Sequence, residues 1–181
     1  DHDPALLAAL RQRAAGLDIE VLCADARSFA LPRDERVALC LAPMQTVQLL
    51  GGTSGRDAFL RHAQTHLSPD GLLACALVTE LEPFDCTDGG PLPTPETCRV
   101  EGILYTSQAT RVQAGAHVIA IERHRRIGDS SAVEQDLIEL DRLSVSELER
   151  EGAAVGLHPE QARHIPTTAD HAGSDVVMLH V

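Results

Sequence analysis

The sequence predicts an α/β domain, a largely parallel sheet flanked by helices, interrupted by an antiparallel β insertion. Short, almost wholly apolar runs at 37–42 and 72–78 alternate with capped helical stretches, as strands covered on both faces do. Between 102 and 143, strand-like runs succeed one another across short turns, which makes an antiparallel meander. A final helix and a closing strand pair then restore the first pattern. At 181 residues the chain can bury one full core.

Each element has a local cause. Asp3-Pro4 reads as an N-cap followed by an N1 proline and opens a helix over 5–15, with Leu6, Leu7 and Leu10 as its buried stripe and Arg11 and Arg13 at the negative end of its dipole. Gly16 stops it. Residues 19–24 are a β-rich run ending at Asp25, and 37–42 are a second one. Ser54 is expected to cap a helix from about 55 to 67, with Ala58, Phe59, Leu60 and Ala63 facing inward. Ser68-Pro69-Asp70-Gly71 is a turn feeding the third buried strand, 72–78. Four prolines and Asp88-Gly89-Gly90 mark 80–98 as a long loop. The meander is expected over 102–108, 110–113, 117–127 and 132–143. Ser144-Val145-Ser146-Glu147 is a capping box for a last helix ended by Gly156. The closing pair is 163–167 and 175–180, around the turn Asp170-His171-Ala172-Gly173.

Composition narrows the function. The formal charge of −12 is spread along the chain, and there are one Tyr, three Phe and no Trp. That field repels phosphate backbones and offers no platform for stacked bases, which argues against nucleic acid as a general partner. All fifteen basic residues are Arg, so neither a Schiff-base lysine nor a P-loop lysine lies in this chain. No apolar run approaches the ~18 residues of a membrane span. The five cysteines form no CxxC pair, and Cys23, Cys40 and Cys75 lie in apolar runs. A reduced, cytoplasmic protein is expected, with a Cys86–Cys98 bridge across the proline-rich loop left open. His62 and His66 stand at i, i+4 without the intervening Glu of a zincin, and His164 and His171 flank a turn. The helical pair reads as solvated histidines near a helix C-terminus, and no metal is expected. Arg123, Arg125 and Arg126 read as the wet face of a strand, with an anionic substrate as the alternative.

Four segments in order carry a family resemblance. Asp1-His2-Asp3-Pro4 followed by Leu6-Leu7 resembles the end of a second strand and the capped helix after it. Cys23-Ala24-Asp25-Ala26-Arg27-Ser28-Phe29 resembles a third-strand end, and 67–73 an L-x-P-x-G turn into a fifth strand. The last helix and strand pair resemble a sixth strand and an antiparallel seventh. Together they resemble the class I, Rossmann-like S-adenosylmethionine-dependent methyltransferases. The resemblance implies a Rossmann-like methyltransferase sheet in the order third, second, first, fourth, fifth, seventh, sixth, with an antiparallel β insertion after the fifth strand. Residues 1–79 and 144–181 would form the core, and 80–143 an inserted loop and cap that covers the pocket and selects the substrate. The family's first strand and glycine-rich loop have no counterpart, so an upstream segment, or a neighbouring chain, is expected to supply them.

The resemblance also implies roles. S-adenosyl-L-methionine would be the cofactor. Asp1 would accept from both ribose hydroxyls, a cap neighbour being the alternative, and His2 would stand beside the adenine or be merely exposed. Asp25 would accept from the adenine 6-amino group, with the Ala26 backbone N–H on a ring nitrogen; Asp25 as a plain turn residue is the alternative. Ala42 would lie at the carboxyl end of the fourth strand, with Gln45 just beyond it facing the substrate, and Tyr105 would reach in from the insertion or else sit in the core or on the rim. The expected partner is a small-molecule acceptor, with a homodimer left open. The expected activity is methyl transfer, against an inactive methyltransferase-like binding or scaffold subunit; a nicotinamide dehydrogenase is disfavoured.

Overall fold

A computed structural model describes residues 1–32, 35–168 and 172–181. The elements are α1 (Pro4–Arg13), β1 (Val37–Ala42), a 3-10 turn (Thr46–Leu49), α2 (Gly52–His66), β2 (Leu67–Leu77), β3 (Phe84–Asp85), β4 (Glu96–Val100), β5 (Ile103–Ala114), β6 (Val118–Ile127), β7 (Glu134–Asp141), α3 (Val145–Ala154), β8 (His158–Ile165) and β9 (Ser174–His180). The first sheet has the order β1-β2-β9-β8, with β1 and β2 parallel and β9 antiparallel to both neighbours. This is the fourth, fifth, seventh, sixth order that the sequence implied. The second sheet is antiparallel throughout, β3 and β4 sharing one edge of β5 and β6-β7 continuing from the other.

One core lies between the first sheet and the helices α2 and α3. Leu73, Cys75 and Leu77 of β2 and Val177 and Leu179 of β9 meet Phe59, Leu60 and Leu148, all buried. A smaller cluster joins Val78 to Val112, Ile119 and Leu140 and so fixes the second sheet to the end of β2. The capping box of α3 is formed, Ser144 Oγ accepting from Glu147 N and Ser144 N donating to Glu147. No helix among the described residues is long and apolar enough to cross a membrane.

Several expectations are corrected. Residues 19–24 form no strand: two backbone bonds, Asp1 N to Leu22 O (3.3 Å) and Ala24 N to Asp1 O (3.0 Å), are their ladder. Those bonds flank Cys23 in the pattern of a parallel bridge to Asp1, and among the described residues no strand pairs with 19–24. Ile19 and Leu22 are accordingly exposed, as is Cys23. β1 pairs only with β2, and Leu39 and Leu41 are 51% and 63% exposed, so this strand is covered on one face. In α1 only Leu7 is buried, while Leu6 and Leu10 face solvent. The Ser68–Gly71 turn is a bulge within β2, five residues from Leu67 to Leu72 opposing the step from Val37 to Leu39, with Asp70 at φ 62°. The runs 102–108 and 110–113 merge into β5 across a bulge at Thr110. The loop 80–98 contains β3 and the start of β4. The Asp170-His171 part of the closing turn lies outside the described residues.

The start of α2 also differs. Its N-cap is Gly51 in the left-handed region, at φ 84°, and Ser54 caps nothing. The reason is a close crossing, since a Cβ built at Gly55 would lie 1.7 Å from the Leu50 carbonyl oxygen and 2.7 Å from its carbon. Helix propensity alone favours Gly55→Ala by about 1 kcal/mol. The backbone clash opposes it with the 1–3 kcal/mol typical of overpacking, and rigid backbone cannot step aside. Gly55→Ala is therefore expected to lower the urea midpoint; a stabilised variant would show that the chain around Leu50 yields.

Candidate functional site

Ligands of open α/β sheets bind outside the carboxyl ends of the parallel strands. Here that edge comprises the end of β1, the 3-10 turn after it and the end of β2. Immediately after β1, Met44 and Gln45 both adopt positive φ, 53° and 59°. Two successive non-glycine residues in that region cost energy that a plain connection would avoid. The turn is then held by Gln48, only 1% exposed, whose Nε2 donates to Val78 O (3.0 Å) and Asp141 O (2.9 Å) and whose Oε1 accepts from Val78 N (2.9 Å).

One cavity is lined by Thr46 and Leu49 of this turn, and a second by Val78, to which Gln48 bonds. The first, of about 630 Å³, is lined by Asp1, His2, Asp25 and Ala26, with Phe29 and Leu50 among its apolar walls. The loop beneath it is anchored on α2, where Phe29 packs against the rings of His62 and His66 at 6.0 and 5.3 Å and Leu31 N donates to His66 Nε2 at 3.4 Å. Those histidines are packing groups, and His171 lies outside the described residues; no metal-binding cluster of three occurs among the described residues.

The polar groups of this cavity are unequally free. Asp25 is clamped by Arg27, whose Nε bonds both carboxylate oxygens (3.0 and 3.1 Å), whose Nη2 bonds Oδ2 (2.6 Å) and whose backbone N bonds Oδ1 (2.8 Å). These bonds hold the Asp25 carboxyl well below the usual carboxylate range. They also occupy about all four lone-pair sites of a carboxylate, so a further donor must displace one. The Ala26 N–H, by contrast, donates to no group among the described residues. Asp1 Oδ1 accepts from Asp3 N (2.9 Å), and His2 is 85% exposed at its side chain.

The second cavity, of about 720 Å³, opens at the end of β2 against the second sheet, between Glu80, Leu81, Ile119, Arg142 and Asp175. Its wall carries a chain of contacts: Thr79 Oγ1 donates to Asp175 Oδ2 (2.9 Å), and Asp175 Oδ1 meets His164 Nδ1 (2.9 Å). Sequence reading passed over this chain because its members are far apart in the sequence and meet only through the register of β8 on β9.

The structure thus brings Asp1, His2, Asp25 and Ala26 together. Ala42 is not with them; it is 3% exposed in the main core. Gln45 lines neither cavity. Tyr105, 39% exposed, lies opposite Cys98 on the second sheet, in a groove with Arg125 and Arg126. The loop over 87–95 borders a third hollow against β6 and β7, with Arg123 and Asp136 in its wall; the segment that borders the β2-end cavity is 78–83. Arg123 pairs with Glu96 and Arg125 with Asp136, both at the surface. All five cysteines are free, and burial pushes the Cys40 and Cys75 thiols up.

No protein-family model and no curated protein matches the sequence. Among solved structures, the chain is similar to an amino pentose methyltransferase from Micromonospora echinaspora involved in calicheamicin biosynthesis, solved with S-adenosylmethionine bound: 20% identity, 98% of this chain and 71% of that one, TM-score 0.66. It is similar to a sugar N-methyltransferase from Streptoalloteichus at 18% identity, covering 98% and 68%, TM-score 0.68. A glycopeptide N-methyltransferase solved with S-adenosylhomocysteine matches at 15% identity, covering 99% and 70%, TM-score 0.63. The chain has the Rossmann-like fold of these methyltransferases.

Proposed function

We propose that the chain is an S-adenosylmethionine-dependent methyltransferase acting on a small molecule, and that the cavity at Asp1, Asp25 and Ala26 holds the adenosine half of the cofactor. The observation that carries this is the free Ala26 N–H beside two carboxylates, at the strand-end edge of a methyltransferase fold. The donor set fits adenosine: the N–H suits a ring nitrogen, the carboxylates suit the amino group and the ribose diol, and Phe29, Leu49 and Leu50 supply apolar surface. His2 covers the rim. When bound, the cofactor supplies a methyl group on sulfur that is already activated, so the protein's contribution is positioning and exclusion of water.

Residues 1–79 and 144–181 are assigned the cofactor side, and 80–143 the acceptor side. The strained Met44-Gln45 step follows β1 at the same strand-end edge, which is where we place the meeting of acceptor and methyl group. The similar proteins named as N-methyltransferases favour an amine acceptor, and an inactive binding or scaffold subunit is the competing reading. The free cysteines suit a reducing, cytoplasmic setting. The reading requires neither nucleic acid nor membrane as a partner, and leaves a homodimer open.

Calorimetry with adenosine, S-adenosylmethionine and S-adenosylhomocysteine tests it. All three should bind, and Asp25→Ala should weaken adenosine about tenfold through loss of an acceptor. Arg27→Ala frees the carboxylate and should leave affinity equal or higher. If Arg27→Ala weakens binding as much as Asp25→Ala, the two are a structural clip and Asp25 makes no direct contact. If S-adenosylmethionine binds but no methyl transfer to any small amine, alcohol or thiol is found, the scaffold reading takes over.

A further inference from the structure

The cavity at the end of β2 has features that cofactor binding does not use. Among the described residues its charged lining is Glu80, Glu82 and Asp175 against Arg142, with His164 on the wall. The guanidinium of Arg142 is turned to the Gly115 carbonyl, 3.1 Å away. The field inside therefore favours a cation, while Val78, Leu81 and Ile119 offer it apolar surface.

His164 is oriented within this field. A carboxylate only accepts, so in the 2.9 Å contact to Asp175 Nδ1 is the donor, and the neutral ring then carries its lone pair on Nε2. Asp175 is fixed as the carboxylate, because His164 and then Thr79 hydrogen-bond to it and hold its carboxyl below the usual range. Nε2 has no partner among the described residues, and the side chain is 71% exposed, which leaves a path for a proton to reach water. The same two strands carry a second such pair, His180 with Glu160 at 2.9 Å, at their other end. That pair lines neither cavity, which makes it an internal control.

We propose that this cavity is an amine site, in which an organic ammonium is held by Glu80 and Glu82 and gives its proton to His164 Nε2. The N–H bond breaks, its electron pair stays on nitrogen as a free lone pair, and the imidazole becomes an imidazolium stabilised by Asp175. Thr79 is a positioning residue acting through Asp175. The use of the freed amine rests on the methyltransferase reading; its binding does not.

The test uses the protein labelled with nitrogen-15 at histidine, glucosamine as probe and glucose as its uncharged counterpart. Glucosamine is expected to shift the His164 Nε2 signal and to leave His180 still, and glucose to move neither. Among the described residues, the charged groups that share the cavity with His164 are Asp175, Glu80, Glu82 and Arg142; Glu80→Gln/Glu82→Gln should abolish most of the response, and Glu160→Gln should not change it. In methyl transfer from S-adenosylmethionine to glucosamine, His164→Gln should lower kcat about a hundredfold near neutral pH. Its rate should recover at high pH, where the amine loses its proton unaided. Thr79→Val should move the acid limb of the pH profile while leaving KM in place. Equal responses to glucose and glucosamine, or a His164→Gln variant with the wild-type pH profile, overturn the proposal. An amine-specific His164 response without any methyl transfer upholds the site and sinks the methyltransferase reading instead.

Discussion

Replacing Arg56 by Met is expected to lower the stability of the folded chain by about 3 kcal/mol, the low end of the 3–5 kcal/mol typical of breaking a buried ion pair. Arg56 is only 5% exposed. Its Nη1 meets Asp141 at 2.7 Å, its Nε and Nη2 meet Glu151 at 2.7 and 2.8 Å, and Nη2 reaches Thr53 at 3.2 Å. Hydrogen bonding to Glu151 pushes the guanidinium above its already high ordinary value. The low end applies because the two carboxylates keep 25% and 17% of their side-chain surface in water and can partly rehydrate. Asp141 also accepts from Gly52 N at 2.7 Å, so the cluster sets β7 and α3 against the start of α2. Arg56→Lys should recover only part of the loss, because a point charge cannot fork between two carboxylates. Arg56→Met/Glu151→Met should cost less than the two single changes together, since each single change orphans its partner. The check is denaturant midpoint at unchanged m-value; an Arg56→Met midpoint equal to wild type would mean that water already serves these carboxylates.

How much of this was readable in the sequence depends on the kind of signal. β2 and β9 were legible because continuous apolar runs between turn residues have few other uses. α3 was legible from its capping box. Residues 19–24 have the same strand composition, yet composition only permits a strand; a ladder partner makes one, and among the described residues Asp1 alone bonds to this run from another segment through the backbone. β4 was hidden for the opposite reason: all five of its residues are exposed, so it has no alternation to read. Arg56 and Gln48 look like surface residues in any linear pattern, and nothing local tells that both are enclosed. The His164–Asp175 pair depends on cross-strand register, where a slip of one residue would put the two side chains on opposite faces. Motif order alone grouped Asp1, Asp25 and Ala26, and they line one cavity. The Arg27 clamp on Asp25 was not, although the two are neighbours but one, because an Asp-x-Arg pair can equally point apart.

Gln48→Leu is expected to cost about 3 kcal/mol or more, and to disturb both cavities at once. Leucine keeps nearly the same volume, so packing loss is small and the polar accounting decides the sign. The change strands the Val78 N–H, the Val78 carbonyl and the Asp141 carbonyl in a region where Val78 is 4% exposed and water has little access. Each orphaned group costs about 1–3 kcal/mol, and a shift of the backbone can relieve only part of that. Gln48→Glu separates the three bonds. It keeps an acceptor for Val78 N but turns a carboxylate toward two carbonyls. Its folded-state pKa should therefore lie above the unfolded one, and its stability should be greatest at low pH and fall as pH rises through the folded value. Denaturation of the three proteins from acid to neutral pH should show a flat difference for Leu and a rising one for Glu. The functional consequence follows from position. Thr46 and Leu49 of the same turn line the Asp25 cavity, and Val78 lines the one holding His164. Releasing the turn should weaken adenosine and reduce the amine response of His164 together, under conditions where circular dichroism still reports a folded chain. Loss of only one of the two would show that each cavity is shaped by its own walls and that Gln48 is no more than a stability device.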